Sequence, residues 1–189
     1  MLDDTKILNE PNPGDAAIAA AIGIEDLHVG RHYLRDEQRW RIGVIWIDSL
    51  WILRVQPSFH HHGAVGVVSA HGESFRGNQP TGWIKAFLSS GNELVAQEIE
   101  ADPLPEFAGS LPILRKSNSM FLDGVGYELR VESMVLEGLL KFSNPEEPEL
   151  LAVESCCWQL AETIACKARN HKLIAFAKAW RGYFNRGPK

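Results

Sequence analysis

Cysteine is scarce. The chain holds three, Cys156, Cys157 and Cys166, all inside one predicted helix, and no C-x-x-C pair. Neighbouring cysteines on a helix point about 100° apart, which suits neither a disulfide nor a zinc clamp. The expectation is three small buried hydrophobes in a reducing compartment. Long apolar runs are missing too, and none approaches the ~20 residues a membrane span needs. The start, Met1-Leu2-Asp3-Asp4, is acidic, and the Ala-rich run that follows is broken at Gly23, so no signal peptide is expected. These absences predict a soluble, cytoplasmic protein.

Catalytic signatures are equally sparse. There is no G-x-S-x-G elbow and no Walker A loop. His71-Gly72-Glu73 matches the first half of a zinc-deaminase pattern, but its P-C-x-x-C half is absent. An excess of basic residues is lacking as well. With 19 Lys and Arg against 24 Asp and Glu, the net charge of −5 gives no global reason to expect nucleic acid.

What is present is enough for one core. Hydrophobic residues make up 45% of 189, which argues for a single folded domain over 1–189. Three parts are expected: an arm and short helix over 1–39, a β region over 40–143 and helices over 144–189. Six Trp residues are spread along the chain, the distribution of packing residues rather than of one aromatic site.

Residues 16–22, capped by Asp15 and stopped at Gly23, read as a short helix over a sheet edge, and 24–39 as a surface connection or a second short helix. Trp40–Ile47 and Trp51–Gln56 alternate, and Asp48-Ser49 between them has turn chemistry, so a hairpin is expected. Val65–Val68, Trp83–Leu88, Glu93–Ile99, Tyr127–Val131 and Met134–Phe142 continue the strand pattern. Gly72–Gly82 and the proline-containing 101–119 read as loops. After Asn144 or Ser143 as cap, Leu150, Val153, Cys157, Leu160 and Ile164 form a helical stripe, and Leu173, Phe176, Ala177 and Trp180 form a second. The fold class is therefore α+β: a mainly antiparallel sheet of about seven strands, curled or sandwich-like, with two C-terminal helices packed on one face.

Two features could carry function. His60-His61-His62 on a strand would turn His60 and His62 to one side, and His71 or Glu73 across a hairpin could complete a divalent-metal site. Otherwise no cofactor is implied. The long 101–119 loop, with Phe107, Arg115 and Lys116, has the character of a partner-binding segment. The reading that follows is a non-enzymatic binding protein (adaptor, inhibitor or immunity-type) that engages a protein partner through loops and exposed aromatics. The alternatives are a metal-dependent enzyme or metal-binding protein using His60, His62, His71 and Glu73, and a small-molecule carrier lined by Trp46, Trp51, Trp83 or Trp158. Homo-oligomerisation is compatible with all three. The basic tail from Lys167 onward could meet an outside partner or neutralise the acidic segment Glu93–Glu106 of the same chain.

Overall fold

Two separate hydrophobic cores lie on the two sides of one antiparallel sheet, and the long second strand contributes to both. The computed structural model describes residues 13–35, 41–58, 60–74, 80–104 and 124–184. Its elements are α1 (Pro13–Ile22), β1 (Gly30–Arg35), β2 (Arg41–Pro57), β3 (Gly63–Ser74), β4 (Pro80–Ser90), β5 (Glu93–Ile99), β6 (Val125–Ser133), β7 (Glu137–Ser143), α2 (Pro148–Ala168) and α3 (His171–Phe184). The strand order is β5-β4-β3-β2-β6-β7, and β1 also pairs with β2. With α2 and α3 packed against the sheet, the fold is the expected α+β class.

The sheet is organised on β2. One edge of it pairs with β3 from Gly43 to Val55. The other edge is shared, with β1 along Arg41–Ile47 and β6 along Ser49–Pro57. The hairpin expected here is not formed, because Asp48-Ser49 makes a register shift inside one 17-residue strand instead of a reversal. The bulge has a consequence for packing. It adds one residue, so Ile45 and Ile47 share a face with Leu50 and Ile52 rather than with Trp51, Leu53 and Val55. Polar turn formers are tolerated because a bulge, like a turn, leaves backbone groups outside the ladder.

On the helix face, Trp51, Leu53, Val55, Val65, Val67 and Leu129 meet Val153, Cys157, Ala161 and Ile164 of α2 and Leu173, Phe176 and Trp180 of α3. On the opposite face, Ile18, Ala19 and Ile22 of α1, with Ile24 and Leu27, cover Ile45, Ile47, Leu50, Ile52, Val68 and Phe87. The short helix thus lies across this face and reaches the edge strand β5, and its two isoleucines each supply about 1.5–3 kcal/mol of burial. Coverage from both sides explains the unbroken buried run Leu50–Leu53. Gly66 permits the close packing, since a Cβ there would lie 2.3 Å from the Trp51 carbonyl oxygen and 2.6 Å from the Phe87 ring.

Several local expectations are corrected. Residues 30–35 form strand β1, where a connection or helix was expected: His32 and Tyr33 lie opposite Ile45 and Val44, and sheet pairing overrides a mixed local pattern. Strands β3 and β4 run to Ser74 and from Pro80, shortening the 72–82 loop. Helix α2 starts at Pro148 with Glu147 as its N-cap residue and no side-chain cap. Asn144, at φ +44°, instead accepts the Val125 N–H at 2.9 Å and ties the end of β7 to the start of β6. Of the cysteines only Cys157 is buried; Cys156 is half-buried and Cys166 exposed.

The α2–α3 joint is specified by Arg169 and Asn170. Arg169 takes the left-handed conformation (φ 53°) that ends α2. Asn170 Oδ1 then accepts the N–H groups of Lys172 and Leu173 at 3.0 and 3.1 Å, capping α3. Glu93 at the head of β5 accepts from Asn170 Nδ2 (2.9 Å) and Lys172 Nζ (2.6 Å). Those bonds, Lys172's first, hold the Glu93 carboxyl below its ordinary range. One basic residue of the tail therefore meets the chain's own acidic strand.

Candidate functional site

Helices α2 and α3 cover only part of their face of the sheet. Beyond them, the register aligns Tyr33 with Val44, Arg31 with Trp46, and Trp46 with His71, so these side chains share one face at the β1–β2–β3 end. Trp46 is 43% exposed, although Ile45 and Ile47 beside it are fully buried on the other side. The guanidinium of Arg41 lies 3.8 Å from the centroid of the Tyr33 ring, and that of Arg31 lies 5.7 Å away. Two cations on one ring hold the phenol in place while leaving the patch basic.

Asp48, displaced by the bulge, reaches His71 on the neighbouring strand, with Oδ2 2.8 Å from Nδ1. The contact orients the imidazole on the strand surface. Both side chains are well exposed. An Asp–His pair of this kind can shuttle a proton or hold an acceptor, and it can equally form one polar contact in an interface.

The histidines singled out in the sequence are not brought together. His60 and His62 lie between β2 and β3, not on a strand, and the His60 ring packs edge-on against Tyr183 at 6.1 Å. His71 sits about 30 Å further along β3 at roughly 3.3 Å per residue. The backbone of Glu73 pairs with Val44 and Pro80, two residues beyond His71. Among the described residues, no group of three or more His, Cys, Asp or Glu could hold a metal ion. Phe107, Arg115 and Lys116 lie outside the described residues.

Nor do the four tryptophans of the carrier reading converge. Trp51 and Trp158 are in the helix-side core, their indole N–H groups donating to Asp102 Oδ1 and the Ala177 carbonyl, each at 2.9 Å. Trp83 packs on the opposite face, with the Lys85 ammonium 4.5 Å from its ring centroid, and Trp46 is on the open patch.

Sequence reasoning missed the buried polar groups. Glu154, on the inner side of α2, accepts a hydrogen bond from the Tyr127 hydroxyl, and Trp180 Nε1–H donates to the Tyr127 oxygen at 2.8 Å. Burial pushes the Glu154 carboxyl up, a rise that the Tyr127 bond partly offsets. Burial, then the adjacent Glu154, pushes the Tyr127 phenol far above its usual value. A signal was available: Glu154 stands four residues after Leu150 and three before Cys157, on the apolar stripe itself. On the other face, His32 is buried beside Ile45, its Nε2–H donating to the His28 carbonyl at 2.8 Å, and burial lowers its pKa. Both are closed off by packing, whereas the Trp46 patch is open to solvent. No helix among the described residues is long and apolar enough to cross a membrane. In comparisons with protein families, curated proteins and solved structures, no match to this chain was found.

Proposed function

We propose that the chain is a non-enzymatic binding protein, of the adaptor, inhibitor or immunity type, that holds a protein partner against the open end of its sheet. The observation that carries this reading is the exposure of Trp46 on a central strand, beside the doubly cation-stacked Tyr33. Trp, Tyr and Arg are the residue types in which binding energy concentrates, because they combine a large rigid apolar area with a directed polar tip. A β-sheet holds them without an ordering cost at the moment of contact. Arg31 and Arg41 outnumber Asp48 on this surface, so the complementary partner presents carboxylates around an apolar group that covers the indole.

The test uses the full chain, immobilised and exposed to native-host extract, followed by titration calorimetry with the recovered partner. Trp46→Ala is expected to weaken affinity by about 30-fold or more, the effect of losing one central anchor of roughly 2 kcal/mol. Arg31→Ala should weaken it less and make it less sensitive to salt. Equal recovery of the same partner by wild type and Trp46→Ala would remove this surface from consideration.

A further inference from the structure

Strand β7 ends the sheet, and among the described residues no strand pairs with its outer edge. Of the six large hydrophobic side chains exposed among the described residues, four belong to its hairpin: Met134, Val135, Leu136 and Leu139. Leu139 is 55% exposed in the middle of the strand. An unprotected edge with an apolar row is a surface built to be covered.

The hydrogen-bond alternation fixes which residues can receive a new strand. Ser133 and Leu136 exchange backbone bonds at 2.7 and 3.4 Å, and the Asn144 N–H donates to the Val125 carbonyl at 3.1 Å. These bonds share the register that pairs Leu140 with Leu129. The even-numbered residues of β7 thus turn their backbone groups toward β6, and Glu137, Leu139, Lys141 and Ser143 turn theirs outward.

We propose that β7 pairs antiparallel with β7 of a second copy of this chain, about a two-fold axis at Leu139, joining two sheets into one. The side-chain pattern is self-complementary in that register. Leu139 meets Leu139 of the second copy, and each Glu137 meets a Lys141 of the other chain, on one face. On the other face each Leu140 meets a Gly138, where nothing lies within 4 Å of a would-be Cβ, and each exposed Leu136 meets a Phe142. Neighbouring registers lose this match. An axis at Glu137 or Lys141 sets like charges opposite each other, and one at Leu140 sets Leu139 against Lys141. In the dimer Lys141, which already lies 2.9 Å from Glu128 of its own chain, sits between two carboxylates. The interface is isologous, so it closes at two copies. It does not depend on the Trp46 surface.

Sedimentation equilibrium of the full chain over a concentration series is the test, with circular dichroism to confirm folding of each variant. Wild type is expected to dimerise. Leu139→Asp, at an exposed position, should abolish the dimer by placing two carboxylates on the axis. Glu137→Lys and Lys141→Glu should each weaken self-association about tenfold or more, since each converts two attractive pairs to repulsive ones. Mixing those two variants should restore a heterodimer, because both cross-pairs are then opposite in sign. A monomeric wild type, a dimer insensitive to Leu139→Asp, or a mixture no tighter than its components would each overturn the proposal.

Discussion

Tyr127 of β6 donates its hydroxyl hydrogen to the carboxylate of Glu154 on α2, and Trp180 of α3 donates its indole N–H to the same phenol oxygen. One hydroxyl thereby joins the sheet to both helices inside the core. Tyr127→Phe keeps the ring, including its stacking on Phe142 at 4.9 Å, but orphans two buried polar groups. The expected cost is about 1–3 kcal/mol. Urea unfolding at fixed pH measures it, and an unchanged midpoint would show that the network adds nothing to stability.

Burial of the Glu154 carboxyl sets a pH dependence. Burial makes the folded state hold the Glu154 proton more tightly than the unfolded chain does. Stability from this group is fully present below the ordinary carboxylate pKa and declines as pH rises through the raised folded value. Glu154→Gln keeps an acceptor for Tyr127 and removes the titration. Between about pH 4.5 and about pH 7.5, wild type should therefore lose stability relative to Glu154→Gln. Paired urea titrations at the two values check the sign; a gain by wild type would contradict it.

Local periodicity made the helix stripe around Val153 and Cys157, and the strands at Glu93–Ile99 and Tyr127–Val131, legible before the structure. Long-range pairing hid the rest. Nothing local marks Gly30–Arg35 as a strand, because its stability comes from Ile45 and Val44 across the ladder. Asp48-Ser49 serves a turn or a bulge equally well by composition. Only the need to bury both Ile45 and Leu50 on one face decides between them. The Trp46 surface was obscured for the same reason: alternation over Trp40–Ile47 does not say which side of the strand is left uncovered. His60 and His62 looked like ligands because strand alternation was assumed for a segment that is a connector.

Two glycines should respond in opposite directions. At Gly66 an added methyl meets a backbone carbonyl at 2.3 Å, which cannot move without disturbing β2. Gly66→Ala should cost about 1–3 kcal/mol. At Gly182, within α3, nothing lies within 4 Å of the added Cβ. Gly182→Ala should stabilise by roughly 0.5–1 kcal/mol through helix propensity. Thermal unfolding of both variants tests the contrast.

The three thiols should separate by burial. Cys157 is enclosed, and burial pushes its thiol well up. Cys156 is half-buried, donates to the Pro103 carbonyl at 3.3 Å, and is also raised by burial. Cys166 is exposed. Native alkylation followed by peptide mass spectrometry should label Cys166 first, Cys156 slowly and Cys157 only in denaturant, since the thiolate is the reacting form. Early labelling of Cys157 would show that α2 opens from the sheet more readily than its packing implies.

Asp15 is expected to control how firmly α1 holds the second core. Its carboxylate, in the first turn of α1, pairs with Arg54 of β2 (2.5 Å) and Arg130 of β6 (3.3 Å), and the three side chains are largely shielded from solvent. Arg54 also meets Glu128 at 3.4 Å, while Arg130 meets Glu132 and donates to the Leu27 carbonyl at 3.0 Å. Removing Asp15 therefore leaves neither guanidinium without a partner but breaks the polar link between helix and sheet. Asp15→Ala should cost about 1–3 kcal/mol, the range for hydrogen bonds to charged groups. Hydrogen exchange should quicken in α1 and leave α2 and α3 unchanged, since their core lies across the sheet. Uniform acceleration in all three helices would mean that the two cores open as one cooperative unit.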